Sequence, residues 1–358
     1  MRWSEEKTWD WYNRKPWIRG CNYRASDCIN WIEQWQELDF DKKMQTFDRE
    51  LKLAADIGFN SIRTLLPFEV WDQQHDGFMD RLEQFLTLAA SHGISVMPIF
   101  GNDCCVPKEL YQPARMGRQP EPEPGYHGGR KDGTHAVMHD KPAYSILDDA
   151  ETARRFERFV DEVVGRYAKD QRIIIWDIFN EPGMTRRGSL SLPHMVRFFE
   201  IARSHDPIQP LTAGAWDNLT GTLSEIEQKA VDLSDVVSFH SYDNYIKMIE
   251  ILDTLGKYKR PLLNTEWLHR CLNNRVEEMF PLFYLMRIGC YNWGLVAGKS
   301  QTFEPWEKLY HDPDPSWDLT KWQHDLFRQN LRPYDPKEIQ VIRHFCALSK
   351  QKQEICQD

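Results

Sequence analysis

Residues 53–66 read LAADIGFNSIRTLL, which is an apolar helical pattern, a glycine and then a strand-like run. Gly58 stands where the helical pattern stops, and helices favour glycine there because the chain must adopt a positive φ. The same order returns in residues 88–100, LAASHGISVMPIF, and around Gly289 in FYLMRIGCYNWG. This repeated order of helix, glycine and strand predicts parallel strands joined by crossover helices.

Working outward from these repeats, strand-like runs alternate with amphipathic segments along the chain. The runs are Trp17–Asn22, Phe59–Leu66, Ile94–Phe100, Ile173–Asn180, Pro210–Trp216, Val236–Tyr242, Pro261–Trp267 and Cys290–Val296. The segments between them include Asp41–Ile57, Phe78–His92, Asp148–Ala168, Leu192–Ser204 and Val276–Ile288. This alternation favours an α/β fold built as a closed (β/α)₈ barrel over a doubly wound sheet, since no G-x-G-x-x-G motif follows any run.

The chain of 358 residues fits one barrel domain, residues 1–358. We expect residues 1–16 to form an N-terminal extension and residues 303–358 to supply the last crossover and a C-terminal helix. Residues 101–145 follow the third strand and show little periodicity. Long loops of this kind are usually functional or disordered, and barrel active sites form where the strands end. This stretch is therefore predicted to be a long loop on the active face that walls off one end of a cleft.

Composition excludes several classes of function. The net charge is −9 and no lysine- or arginine-rich block occurs, so nucleic acid and anionic membranes are not expected partners. No apolar run could span a bilayer and the N-terminus does not resemble a signal peptide, which leads us to expect a cytoplasmic protein unless a leader has been removed. The eight cysteines are scattered without a C-x-x-C pair, which favours reduced thiols over a disulfide framework or a structural zinc site.

Two glutamates end buried-looking strands. Residues 172–182, RIIIWDIFNEP, form an apolar run that stops at Asn180, Glu181 and a proline that cannot join a β-ladder. Residues 261–267, PLLNTEW, end in the same manner with Glu266. Cleavage of a glycosidic bond needs two such carboxyl groups, one to give a proton and one to attack or to stabilise the cation. Glu181 and Glu266 are therefore the predicted catalytic pair.

Other side chains follow strand ends on the same predicted face, and we expect them to contact substrate or the two glutamates. They are Arg63, Asn102, Asp103, Asn180, His240, Tyr242, Trp293 and Lys299. Arg63 and Tyr242 could keep Glu266 ionised by donating to it, and partial burial of Glu181 would help it to hold a proton. The alternatives are a salt bridge at the barrel mouth for Arg63 and plain packing for His240 and Tyr242. Sequence parity does not decide whether Trp293 faces the barrel or the helices.

No cofactor or metal is expected, although one cluster could be interpreted as a metal site. His135 and His139 are four residues apart in the long loop, which also contains Cys104, Cys105 and His127. The glycine-rich loop is a poor candidate for the regular helix that this spacing would need. A second group, Asp312, Asp314 and Asp318, is similar to a calcium loop only in composition, because the central glycine and the terminal glutamate are missing.

The motifs FNEP, HSY, NTEW and NWG at strands four, six, seven and eight resemble those of the clan A retaining glycoside hydrolases, above all family 5 and its cellulase-like relatives. The stretches IRGCNYRASDCINWIEQW and FDRELKLAADIGFNSIRTLL resemble a group of bacterial cellulase-fold proteins, so the similarity covers nearly the whole chain. The resemblance implies a (β/α)₈ barrel with Glu181 as acid/base and Glu266 as nucleophile. It also implies supporting roles for the following residues: Arg63, Asn180, His240, Tyr242 and Trp293.

One departure leaves the sugar open. Many family 5 enzymes carry a histidine near the end of strand three, where this chain has Asn102 and Asp103. The leading hypothesis is retaining hydrolysis of a β-linked glycosidic bond in oligosaccharides or small glycosides, with exo action. The alternatives are an endo-acting β-glycanase, a transglycosylase with the same residues, and a carbohydrate-binding barrel without turnover.

Overall fold

The structure, a computed structural model, describes residues 1–131 and 140–355, with side chains described up to residue 352. Eight parallel strands form its sheet: β1 (Arg19–Asn22), β2 (Ser61–Leu65), β3 (Ser95–Asn102), β4 (Trp176–Asn180), β5 (Leu211–Gly214), β6 (Val237–His240), β7 (Leu262–Trp267) and β8 (Gly289–Trp293). Neighbouring strands pair in the order β5-β4-β3-β2-β1-β8-β7-β6. A parallel bridge between Ala215 and Phe239 then joins β5 to β6. The barrel is closed, and the (β/α)₈ prediction is confirmed.

Helices surround the barrel and lie between successive strands. They are α1 (Glu5–Asn13), α2 (Trp31–Trp35), α3 (Phe40–Asp56), α4 (Phe68–Gln73), α5 (His75–Ser91), α6 (Ala150–Tyr167), α7 (Leu192–Ser204), α8 (Glu225–Leu233), α9 (Tyr245–Gly256), α10 (Val276–Leu285) and α11 (Pro336–Ile355). The amphipathic pattern found α3, α5, α6, α7 and α10 but missed the crossover helices α8 and α9. No described helix is both long and apolar enough to cross a membrane.

The glycine-based prediction of helix ends holds at two of its three positions. Gly58 and Gly93 have positive φ values of 96° and 69° and directly follow α3 and α5. Gly289 instead begins β8, and the positive φ after α10 belongs to Arg287. A Cβ on Gly289 would lie 2.7 Å from Leu263 Cγ on the neighbouring strand, so this glycine permits close strand packing rather than ending a helix.

The N-terminal segment covers the end of the barrel at which the strands begin. Tyr12 of α1 packs in a small apolar cluster with Ile18, Met97, Ile174, Ile175, Val236, Leu263 and Tyr291. Its hydroxyl donates a hydrogen bond of 2.7 Å to the Arg287 carbonyl. The opposite end, where the strands finish, is left to the loops.

The loop after β3 crosses this open end and contacts several other loops. Near its two ends, Val106 pairs with Tyr144 in an antiparallel bridge. Farther out, the Gln36 side chain donates 2.8 Å to the Gly117 carbonyl, and Glu307 N donates 3.4 Å to the Gly125 carbonyl. The described part of the loop is therefore held against the loops after β1 and β8.

Candidate active site

The ends of four strands bring polar side chains to one point in the barrel mouth. Arg63 comes from β2, Asn180 and Glu181 from the end of β4, His240 from β6 and Glu266 from β7. The pairing of β4 with β5, of β6 with β7 and of β7 with β8 each shifts register near these residues. Such bulges re-aim side chains and are frequent beside active sites. The structure therefore brings together the core of the residues predicted from the sequence.

Arg63 lies at the centre of this group. Its side chain is fully buried and donates to Asp177 at 2.8 Å, to Glu266 at 2.8 Å and to Asn180 Oδ1 at 2.6 Å. Burial alone would lower the pKa of Arg63, but the charges of Asp177 and Glu266 outweigh it and raise that pKa. A buried cation that is stabilised by two carboxylates fixes the geometry of both.

Both carboxylate oxygens of Glu266 accept hydrogen bonds. Oε1 accepts from Arg63 and Oε2 accepts from the Tyr242 hydroxyl at 2.9 Å. Burial raises the pKa of Glu266, and the Arg63 cation and the Tyr242 donor oppose that shift. A carboxylate held between a guanidinium and a phenol is positioned to act in its ionised form, as a nucleophile must.

Glu181 lies opposite Glu266 and has different neighbours. Its Oε1 is 2.8 Å from His240 Nδ1, and its Oε2 accepts from the Cys104 thiol at 3.0 Å. The backbone of Glu181 has φ 44°, which is unfavourable for a residue with a Cβ and more so before Pro182. Strain of this kind, of order 1–3 kcal/mol, is typical of functional positions.

His240 lies between the two glutamates in its neutral form. Its Nδ1 is 2.8 Å from Glu181 and 3.5 Å from Glu266, so this nitrogen carries the proton. Burial lowers the pKa of His240 to about 4. Nε2 is buried without a hydrogen-bond partner among the described residues and lies against Gly214, where a Cβ would be only 2.8 Å away. His240 can therefore donate to either carboxylate without adding a charge.

The two glutamates are close together. One carboxylate oxygen of Glu181, one of Glu266 and one ring nitrogen of His240 all lie within 4.8 Å of one another. Three such groups could also hold a metal ion, but Arg63 already supplies a cation to Glu266 at 2.8 Å. A second cation at this point would be repelled by that guanidinium. Of the loop residues considered as metal ligands, His135 and His139 lie outside the described residues.

Asn102 and Asp103 were both predicted to bind substrate, and the structure separates them. Asn102 Oδ1 accepts from Asn180 Nδ2 at 3.0 Å, which places it beside the glutamates. Asp103 is fully buried, and its carboxylate accepts from Arg187, from Ser191 and from the Gly183 backbone amide. The prediction for Asp103 is therefore corrected: no oxygen of this carboxylate is left for a substrate.

No hydrogen bond joins Trp293 or Lys299 to the two glutamates in the described part of the chain. Trp293, at the end of β8, lines a small cleft with Asn22, whose Oδ1 accepts from Arg63 at 2.7 Å. Lys299 is half exposed, and its amine lies 3.9 Å from Glu33 on the rim. A substrate role for each stays a prediction.

Three neighbours of the site were missed in the sequence. Cys104 was considered only as a metal ligand, Asn22 ends the first strand, and Asp177 lies inside WDIFN. Asn22 and Asp177 could have been found from strand parity, because inward positions alternate. Cys104 could not, since its contact with Glu181 depends on the path of an irregular loop.

Comparison with known proteins gives a family. The family described as Cellulase (glycosyl hydrolase family 5) matches residues 40–280. No curated protein matches the chain in sequence.

Solved structures with this fold are similar over most of the chain. An exo-β-1,4-mannosidase from Opitutaceae bacterium strain TAV5 is 14% identical with a TM-score of 0.62, covering 94% of this chain and 60% of its own length. A family 5 mannosidase from Rhizomucor miehei is 16% identical, TM-score 0.57, covering 94% of each chain. A β-mannanase from the blue mussel Mytilus edulis is 14% identical, TM-score 0.56, covering 92% of this chain and 91% of its own. The present chain thus spans less than two thirds of the first of these enzymes.

The family match covers more than half of the chain, and the closed barrel with paired glutamates at its mouth agrees with it. This chain belongs to glycosyl hydrolase family 5.

Proposed function

We propose that the chain cleaves a β-linked glycosidic bond with retention of configuration, with Glu266 as nucleophile and Glu181 as acid/base. The observation that carries this is the short distance between the two carboxylates, since ligand atoms of Glu181 and Glu266 fall within 4.8 Å of each other. Retaining enzymes place these groups roughly 5–5.5 Å apart, whereas inverting enzymes leave room for a water between them.

The neighbours of each glutamate fit its role. In the first step a Glu266 oxygen bonds to the anomeric carbon while Glu181 gives its proton to the departing oxygen. In the second step Glu181 takes a proton from water, whose oxygen displaces Glu266. Arg63 and Tyr242 stabilise Glu266 both before attack and as a leaving group, because each donates to one of its oxygens.

Proton NMR of the first-formed product tests the mechanism on an aryl β-glycoside that the enzyme turns over. We expect the anomer of retained configuration, and a product of inverted configuration would contradict the mechanism. Glu266→Ala should abolish turnover. Glu181→Ala should lose more rate on poor leaving groups than on activated ones, and azide should restore part of its rate as a glycosyl azide of retained configuration.

We propose exo action on oligosaccharides or small glycosides as the finer function. The loop after β3 supports this proposal. It reaches across the open face and contacts Gln36 in the loop after β1 and Glu307 in the loop after β8. A wall on that side would make a pocket that admits only a chain end. The similar enzymes include both a mannosidase and a mannanase, so they favour neither mode.

Products from a defined β-manno-oligosaccharide ladder and the matching polymer distinguish the two modes. Exo action predicts monosaccharide from the earliest time points. Early mid-length fragments, with monosaccharide appearing only late, would show an open cleft.

A reducing, cytoplasmic location is also a proposal. Seven cysteines are free thiols in the described part of the chain, including the neighbours Cys104 and Cys105. Free thiols of this number are typical of reducing compartments. Fractionation of the source cells would test it, and recovery of the enzyme outside the cytoplasm would contradict it.

A further inference from the structure

A cavity of about 510 Å³ opens beside Glu181. The loops after β3, β4 and β5 form its walls, and Lys308 closes it from the loop after β8. Pro182 and Gly183, which directly follow Glu181, line it, and the Trp216 indole donates 3.2 Å to the Pro182 carbonyl. The cavity therefore begins one residue beyond Glu181 in the chain.

The position of the cavity assigns it to one side of the reaction. In the proposed mechanism Glu266, with its donors Arg63 and Tyr242, attacks the sugar. The cavity is lined instead by the two residues that follow Glu181 and by Lys308, which interacts electrostatically with Glu181. The group that leaves takes its proton from Glu181, so it must lie on the Glu181 side. A leaving group larger than a few atoms would extend into this cavity.

The wall carries two cations that form no ion pair within 4.0 Å in residues 1–131 and 140–352, although the charge of Glu181 acts on one of them, Lys308. They are Arg186 and Lys308. The Lys308 amine lies 4.8 Å from the centre of the Trp306 ring, which in turn is 5.8 Å from the Tyr242 ring, so this lysine stands at the mouth of the active site. The third cation of the wall, Lys141, is held by Glu109 at 2.9 Å.

The wall also contains two carboxylates, which equal Arg186 and Lys308 in number. Glu227 is buried, and its oxygens accept from the Trp216 and Asp217 amides and from the Ser224 hydroxyl. Asp217 is exposed and is the remaining carboxylate. Neither carboxylate forms an ion pair with Arg186 or Lys308 in the part of the chain that the structure describes, so both cations can bind a ligand although the wall as a whole has no excess of positive charge.

Arg186 is held in place by its own loop. Thr185 and Arg186 both have positive φ, 52° and 61°, and the next residue, Arg187, is buried in ion pairs with Asp103 and Asp148. An anchored backbone reduces the entropy lost when the Arg186 guanidinium binds a ligand. A guanidinium can make two parallel hydrogen bonds to a carboxylate or a phosphate.

We propose that the natural substrate carries an anionic group, a carboxylate or a phosphate, on its leaving-group side, and that Arg186 and Lys308 bind it. This inference rests on the proposed function, because it takes Glu181 as the proton donor. It adds a substrate class, glycosides with an acidic aglycone or an acidic sugar in the leaving position.

Matched aryl glycosides test this proposal. The phenyl ring carries a carboxymethyl group, its primary amide or a phosphonomethyl group, so that the methylene insulates the phenolic oxygen from the charge. We expect kcat/KM for an anionic member to exceed that for the amide by about 3–10-fold at low salt and to approach it at high salt, where charges are screened. Each anionic glycoside gives a ratio of its kcat/KM to that of the amide. The larger of the two ratios identifies carboxylate or phosphate as the preferred group.

Variants assign the preference to the cavity wall. Arg186→Gln and Lys308→Gln should each reduce the ratio of anionic to neutral substrate and together bring it close to one, while Arg186→Lys retains part of it. Asp217→Asn should raise the ratio, because it removes the opposing charge. Lys169→Gln, at an ion pair with Asp206 on the other end of the barrel, is the control and should leave the ratio unchanged.

Two results would overturn the proposal: equal kcat/KM for the charged and neutral members, or a preference that survives the double variant. Failure of the proposed function is distinguishable, since it would appear as no turnover of any member or as inversion of configuration.

Discussion

At the scale of single residues, the contact between Cys104 and Glu181 can be tested directly. A thiol is an unusual hydrogen-bond donor to the proposed acid/base. Its Sγ lies 3.0 Å from Glu181 Oε2 and 3.7 Å from Asn180 Nδ2. Burial raises the pKa of the Cys104 thiol well above its usual value, and the negative charge of Glu181 adds to the shift. Cys104 is therefore an S–H donor at neutral pH rather than a reactive thiolate.

We predict that Cys104→Ala lowers kcat/KM on glycosides with poor leaving groups by about 3–10-fold, the value of one ordinary lost hydrogen bond. The reason is that, among the described residues, His240 is then the one side chain left within hydrogen-bond distance of Glu181. A leaving-group series measures the effect, which should be smaller with activated aryl glycosides. Cys104→Ser, which retains a donor, is the matched control, and equal losses in both variants would assign the effect to packing.

At the scale of elements, a buried ion pair joins the loops that follow β3 and β4. Arg187 donates to Asp103 at 2.9 Å and to Asp148 at 2.8 Å, and the second oxygen of Asp103 accepts from Gly183 N at 2.7 Å. Gly183 is two residues beyond Glu181, whose φ is positive. These bonds hold the strained turn in place.

We predict that Arg187→Met lowers the free energy of unfolding by about 3–5 kcal/mol, because Asp103 would be left buried without its cation. Urea unfolding of the pure variant measures the change. Arg154→Met removes an exposed pair with Glu151 and should change stability by about 0.5 kcal/mol or less. Similar losses in the two variants would mean that Arg187 does not stabilise the turn.

At the scale of the whole molecule, neutral histidines are buried around the barrel mouth. Burial lowers the pKa of His240 to about 4 and those of His269 and His324 well below 6.5. The neighbours of His324 indicate that its proton is on Nδ1. Nδ1 lies 2.5 Å from the Leu268 carbonyl, which can only accept, and Nε2 lies 2.8 Å from the Gln323 amide nitrogen, which donates. A second proton, on Nε2, would point at the N–H of that amide, so the charged form of His324 is disfavoured.

These histidines should make the protein less stable in acid. Each is neutral in the folded state and takes up a proton near pH 6.5 once unfolded, so its contribution is complete above that pH and declines as the pH falls towards the folded pKa. Buried Glu50 and Asp325 act in the opposite direction, because burial raises their pKa values to about 7 and about 6. The pH dependence of the unfolding free energy of the wild-type protein therefore does not separate the contribution of the histidines from that of the acids.

We predict that His324→Gln reduces the slope of unfolding free energy against pH by up to about 1.4 kcal/mol per pH unit below pH 6.5, the value for one proton. Urea unfolding at several pH values gives both slopes. His344→Gln, at an exposed position, is the control and leaves the buried group intact. An unchanged slope in His324→Gln would mean that this histidine is protonated in the folded protein.

The sequence by itself determined the barrel and the pair of glutamates at its mouth, because both follow from local patterns. Helices of period 3.6, the two helix-ending glycines Gly58 and Gly93, and apolar runs that end in Glu181 and Glu266 are readable within short windows. In a parallel barrel all strands end at one face, so these glutamates had to share the mouth.

Only the tertiary structure decided how loops and neighbouring strands arrange the rest. It placed Asn102 in the site and the next residue, Asp103, in a buried ion pair, and it brought Cys104 to Glu181 across 77 positions of chain. The cations beside Glu181 likewise come from loops far apart in sequence. The physical reason is that an irregular loop has no period from which its direction can be predicted, so its side chains are positioned by hydrogen bonds and charges of distant partners.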